Sequence, residues 1–200
     1  ILDICKKNDV EFLDISKGPF EEISSDGCTF NVFKEALNRK IVNAPVMKTN
    51  FQLGISGALE NLSRFVDEKT QRAMYFDDIE KTLPKLAKSI PNVLTIADAT
   101  NGMQGQGPLG FGEPAFLNLI LAGKNAHALD RVFCEITMLQ VPNYINKLDI
   151  KNIEVVGNGL DALKYPLKPP IPYETPHPDI KLIDGKACPA CLNIMQNLTS

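Results

Sequence analysis

No apolar run in these 200 residues approaches the roughly 18 that a membrane helix needs, so the sequence predicts no bilayer span. Basic residues are not in excess: 21 Lys plus Arg stand against 24 Asp plus Glu, a formal charge of -3. A nucleic-acid binder carries the opposite balance in clusters, so that class is excluded. Histidine is scarce, only His127 and His177, and no serine-triad or zinc-protease motif occurs. No Gly-Lys-Ser/Thr follows the glycine-rich stretch, which excludes a P-loop. No secretory signal and no internal repeat is visible. The cysteines, Cys5, Cys28, Cys134, Cys188 and Cys191, are odd in number and irregularly spaced. That argues against a disulfide framework and for a reducing cytoplasm.

An apolar fraction of 44% and a charged fraction of 22% describe a soluble globular chain able to bury a core. The chain opens without Met inside a helical pattern and closes at Ser200 after an apolar one, so the expectation is a fragment. Strands are predicted at Val10 to Ile15, Cys28 to Phe33, Lys40 to Ala44, Asn92 to Ala97, Phe116 to Ala122 and Ile153 to Val156. Helices are predicted at residues 1 to 8, near Lys34 to Asn38, over Gly54 to Val66, and from Asp77 to about Ile90. Another, capped by Asn125, carries the stripe Leu129, Val132, Phe133 and Ile136. The alternation predicts an α/β fold: a mostly parallel sheet with helices on both faces. Six prolines between 164 and 178 break that rhythm and read as an extended surface connector. The expected organisation is an α/β domain over 1–163, the connector over 164–178, and a small Cys-x-x-Cys segment over 179–200.

Five glycines fall within the eleven residues Gly102 to Gly112, just after a predicted strand, too dense for a mere connector. Gly105, Gly107 and Gly110 satisfy G-x-G-x-x-G in letters. The distance from the strand, and Pro108 and Pro114, argue against a nicotinamide site of the usual kind. The alternatives are a strand-end loop whose amides (Gly102, Gly105, Gly107) cradle an anion beside Asp98, and a long turn needing positive φ. Lys48 and Thr49 follow another predicted strand, and Ser56 and Gly57 lie near a predicted helix start. Parallel strands would bring both loops to one edge, where ligands of open α/β sheets collect. Cys188 and Cys191 open a helical pattern with a spacing used in redox, zinc and iron–sulfur chemistry, but the ligand set is incomplete. His127 falls in the first turn of its helix, one turn from Asp130 and Arg131, and reads as a surface histidine.

Four stretches together resemble the prokaryotic family called domain of unknown function 362. Asn43 to Asn50 followed by Ser56 to Leu62 is similar to its Pro-x-x-Lys-Thr-His and Thr-Gly-Ala-x-Lys-Asn stretches. Asp98 to Gly112 is similar to its glycine loop, and Leu121 to Asp130 to its Ala-Gly-x-Asp-x-x-Ala-x-Asp segment. Cys188-x-x-Cys191 matches the tail of a subset of members. The resemblance spans about residues 8 to 195 and lacks the family's usual amino-terminal part. Asn50, Glu60, Gln104 and Asn125 depart from it, each losing or inverting a charge. The resemblance implies no settled reaction. It implies association with iron–sulfur modules and retains Lys48, Asp98 and Asp130 as candidate catalytic residues.

The resulting expectation is a small anionic ligand bound in a strand-end cleft by Lys48, Thr49, Ser56, Gly57, Gly102, Gly105 and Gly107. A thiol or iron–sulfur link would run through Cys188 and Cys191, with a metal or cluster completed outside this chain and a ferredoxin-like partner. The alternatives are a non-catalytic binding or assembly module with a structural cysteine pair, and a nicotinamide oxidoreductase.

Overall fold

A fifteen-residue strand, β6 (Asn92–Gln106), is the axis around which the other elements arrange. The structure is a computed structural model and describes residues 1–145 and 148–171. Before β6 come α1 (Leu2–Lys7), β1 (Phe20–Ser25), β2 (Cys28–Phe33) and α2 (Lys34–Leu37), then β3 (Ile41–Asn43), β4 (Val46–Asn50) and β5 (Gly54–Ser56). Next are α3 (Ala58–Leu62), α4 (Glu68–Asp77) and α5 (Ile79–Ser89); after β6 come β7 (Phe111–Ala115), β8 (Leu119–Gly123) and α6 (Ala126–Thr137). Among the described residues no helix is long and apolar enough to cross a membrane.

The fold is α/β, but the sheet is mixed. β3 and then β4 pair parallel along one edge of β6, and β5 adds to β4 antiparallel. Along the other edge, β8 and then β7 pair antiparallel with the first and second halves of β6. The expectation of a mostly parallel sheet holds for the β3–β6–β4 centre alone. Phe116 to Ala122 reads as doubly covered because its side chains are nearly all apolar; it is instead an antiparallel strand, β8, with Ile120 facing out.

Helices on both faces are also not found among the described residues. α3 and α6 pack on one face and on each other, and α5 packs on α3 and carries the β1–β2 hairpin. Asn43, Met47, Thr49, Thr95, Ala97 and Ala99 point toward α3 and α6 and are buried. On the other face Val42 is 55% exposed, Val46 42%, Ile96 42% and Ile120 63%. This open face decides where a ligand or partner can reach the sheet.

The helices follow their local signals. The Asn125 side chain accepts from Ala128 N (3.2 Å), and the stripe Leu129, Val132, Phe133 and Ile136 is buried. Ile79, Leu83, Leu86 and Ile90 are buried as their spacing predicts, with Pro84 inside α5. The cap is Asp78 rather than Asp77, because Asp77 ends α4. α4 buries only Thr70 and Met74, so it leaves no apolar periodicity to read; the Asp67 cap on Thr70 N (2.7 Å) is its one local signal. The segment Gly54 to Val66 begins as β5, since the Asn50 carboxamide accepts from Gln52 N and Leu53 N and turns the chain back on β4. Val10 to Ile15 and Ile153 to Val156 form no strand, having no neighbour to pair with.

The described part of the proline-rich connector, residues 164–171, is hydrogen-bonded to the body. Tyr165 N donates to Ile136 O and Leu167 N to Thr137 O, and Leu167 is buried. Lys168 O then accepts from Gly105 N, and Gln106 Oε1 accepts from Ile171 N (2.6 Å). The strap thus ties the end of α6 to the far end of β6.

Candidate functional site: the open face of the sheet and the carboxylate behind it

Pairing puts Lys48 and Asp98 on the same side of the sheet. Val46 stands opposite Asp98 and Lys48 opposite Met103, so β6 advances five residues while β4 advances two. The excess bulges out. Asp98 shapes the bulge, its carboxylate accepting from Thr100 N (2.8 Å) and Thr100 Oγ1 (2.6 Å). The Thr100 hydroxyl and amide hold that carboxyl below its usual range. Lys48 alternates with Met47 and Thr49, which are buried on the helix side, so its side chain belongs to the open face. It is half-buried and makes no hydrogen bond or ion pair among the described residues.

The strand expected to end at Ala97 continues to Gln106, and the glycine-rich loop is a β-hairpin. Three of its glycines are required by close approach. A Cβ on Gly107 would lie 2.2 Å from Thr49 O, one on Gly102 2.7 Å from Met47 O, and one on Gly112 2.4 Å from Met103 Cγ. Gly105 has φ +72°. The amide of Gly105 is taken by the strap and that of Gly107 by Gly105 O. Gly105, Gly107 and Gly110 lie at a hairpin tip, with no helix start for a pyrophosphate to meet.

Gly57 and Asp130 sit behind the sheet, on the helix side opposite Lys48, whereas Ser56 stands directly across from Lys48 on β5 and shares its face. Asp130, on α6, is fully buried, and its two oxygens accept from Ala58 N (2.6 Å) and Leu59 N (2.9 Å) at the start of α3. It satisfies two amides that a helix start leaves unpaired. Gly57 is the residue that lets it in, since a Cβ there would stand 2.2 Å from Asp130 Oδ1 and 2.9 Å from Met47 Cε. Burial pushes the Asp130 carboxyl up to about 7; the two amides oppose that shift and Glu60 adds to it. Ser56 Oγ accepts from Asn50 Nδ2 (2.9 Å), and Thr49 Oγ1 donates to Met103 O (3.4 Å).

Asn50 stands out in the sequence only as a departure from the family's pattern and Asn43 not at all, yet both are buried and organise this region. Asn43 Nδ2 donates to Ala58 O (2.8 Å), and its carbonyl accepts from Asn61 Nδ2 (2.7 Å). A polar residue inside a predicted strand was the available signal. His127 is half-buried rather than superficial, in a cleft of about 730 Å3 between α5 and α6. The lysines of that cleft are engaged: Lys81 with Asp78 (2.8 Å), Lys88 with Asp26, and Lys85 with the Cys28 thiol (3.3 Å).

A family model with the description Domain of unknown function (DUF362) matches residues 1–135. The chain belongs to this family. The matched DUF362 region runs from α1 into α6 and takes in Lys48, Asp98, the glycine hairpin and Asp130. Cys188 and Cys191 lie beyond it and outside the described residues. No curated protein and no solved structure matches the chain.

The described part of this DUF362 protein offers no ligand set for a metal or cluster: no group of three or more His, Cys, Asp or Glu side chains converges there. Cys134 is buried on α6, and burial pushes its thiol up to about 12. A thiol so protonated is a poor nucleophile. Maleimide labelling of the native protein, read by mass spectrometry, is expected to leave Cys134 unmodified until denaturant is added. Labelling of Cys134 as fast as of Cys28 in buffer would contradict its burial.

Proposed function

We propose that this DUF362 protein binds a small anionic ligand, a carboxylate or phosphate, on the open face at Lys48. The reading includes service in thiol- or iron–sulfur-linked redox metabolism through Cys188 and Cys191. The observation that carries the ligand is Lys48, a half-buried residue whose ammonium has no ion-pair partner among the described residues. An ammonium without an ion-pair partner is stabilised by an anion that reaches it, and the open face leaves it reachable. Asp98 and Thr100, at the neighbouring bulge, flank the approach and favour a ligand that also presents a donor. The glycine hairpin acts as a rigid wall, because its amides at Gly105 and Gly107 are already committed.

Thermal denaturation with and without inorganic phosphate or malonate tests the ligand. Wild type is expected to melt higher with millimolar anion, and Lys48→Met to lose at least about tenfold in apparent affinity, the range for a charge-assisted contact. Equal stabilisation of both proteins by the anions would remove Lys48 from the reading. The redox half is tested separately by iron and acid-labile sulfide analysis of anaerobically purified protein, against a Cys188→Ser, Cys191→Ser variant. Absence of both elements, with thiols inert to disulfides, would remove that half alone.

A further inference from the structure

The cleft between α5 and the start of α6 takes no part in the anion reading: neither Lys48, Asp98 nor the glycine hairpin lines it. Its volume, about 730 Å3, is that of a small-molecule site. Most of its charges cancel. Lys81 pairs with Asp78, and Lys88 pairs with Asp26. Burial, and then Lys88, hold His127 below its usual pKa, so its imidazole is uncharged at neutral pH. Two charged residues are left over, both on α5 and both half-buried. Glu80 makes no side-chain hydrogen bond or ion pair among the described residues. Lys85 has the Cys28 thiol at 3.3 Å but no carboxylate of the described residues within ion-pair distance; Asp26, which it feels from further off, is taken by Lys88. The apolar part of the lining is Pro84, Tyr144, Ile145 and Leu148.

We propose that this cleft binds a short peptide of apolar residues, its terminal ammonium on Glu80 and its terminal carboxylate on Lys85. An unspent charge of each sign favours a zwitterion over an anion or a cation, because either of those leaves one half-buried group unanswered. The spacing selects the length. Five residues of helix advance about 7.5 Å and two residues of extended chain span about 7 Å, whereas a free amino acid holds its two charges roughly half as far apart. The apolar lining takes the side chains, and their burial adds affinity in proportion to the area covered. His127 makes no side-chain hydrogen bond among the described residues, so its neutral ring offers one donor and one acceptor to the peptide group between those ends.

Isothermal titration calorimetry of the 200-residue chain with leucyl-leucine is the test. Wild type is expected to bind it with a dissociation constant below about 1 mM. N-acetyl-leucyl-leucine, which lacks the ammonium, and leucyl-leucine amide, which lacks the carboxylate, should each bind at least about tenfold more weakly, the range for a charge-assisted contact. Glu80→Gln should weaken leucyl-leucine by the same factor and abolish the penalty of acetylation; Lys85→Met should do likewise for amidation. Circular dichroism checks that both variants fold, and Lys85→Gln serves if Lys85→Met does not. No binding of leucyl-leucine at about 10 mM overturns the proposal, and so do blocked peptides that bind wild type as well as the free one does. Free leucine binding as tightly as the dipeptide overturns the two-residue length. Penalties that persist unchanged in the variants remove Glu80 and Lys85, and with them this cleft.

Discussion

Gly57→Ala is expected to cost about 4 kcal/mol, from overpacking together with weakened charge-assisted hydrogen bonds at a buried carboxylate. The added Cβ would stand 2.2 Å from Asp130 Oδ1, and neither neighbour can retreat cheaply. Asp130 is held by Ala58 N and Leu59 N, and Met47, whose methyl flanks the same space, is itself buried. The carboxylate must therefore leave the start of α3, stranding two buried amides. In a domain of this size the melting temperature should fall by about 10 °C. Gly110→Ala, whose Cβ meets nothing within 4 Å, is the matched control and should stay within about 0.5 kcal/mol. If the clash is the cause, Gly57→Ala should cost far less in an Asp130→Ala background, because the two residues share one space. Full additivity in that cycle would show that Gly57 matters for some other reason.

Stability is expected to fall as pH rises from about 4 to 7, with Asp130 as the cause. The carboxyl titrates near 3.8 in the unfolded chain and at about 7 in the folded one. Between those values the folded state keeps a proton that the unfolded state releases. The contribution is thus complete below the unfolded value and lost as pH passes the folded one. The difference corresponds to about 4 kcal/mol. Asp67, Asp78 and Asp98 are held below their usual range, so their contributions are lost only at more acid pH. His127, lowered mainly by burial and then by Lys88, acts the other way: its protonation in the unfolded chain erodes stability as pH falls below about 6.5. In urea titrations at pH 5, 6, 7 and 8, Asp130→Asn should lose the downward slope and keep the small opposite one. Its deficit against wild type should close by pH 8. Parallel curves for the two proteins would assign the slope to other groups.

The same two residues show what local pattern can and cannot convey. Ser56-Gly57-Ala58 and Asp130 both stand out in the sequence, but as separate loop and helix features. Seventy-two residues separate Ala58 from the carboxylate that caps it. No local rule links such positions, because the cap belongs to α3 while the capping side chain belongs to α6. The glycine stretch taught the same lesson. Its density was legible, but whether the glycines cradle a ligand or admit a neighbouring strand depended on where β4 lay. The carbonyls of Met47 and Thr49 occupy the space that side chains at Gly102 and Gly107 would fill.

Composition and periodicity alone determined that the chain is α/β, where α5 and α6 lie, and which of their faces is buried. Those features depend on neighbours three or four residues apart, and an apolar stripe carries them whatever it packs against. Strand direction, the side of the sheet that the described helices leave uncovered, and the placement of Lys48 opposite Asp130 were decided by tertiary structure. An apolar strand reads alike whether parallel or antiparallel, covered once or twice, since hydrogen-bond partners and the second face are supplied by distant chain.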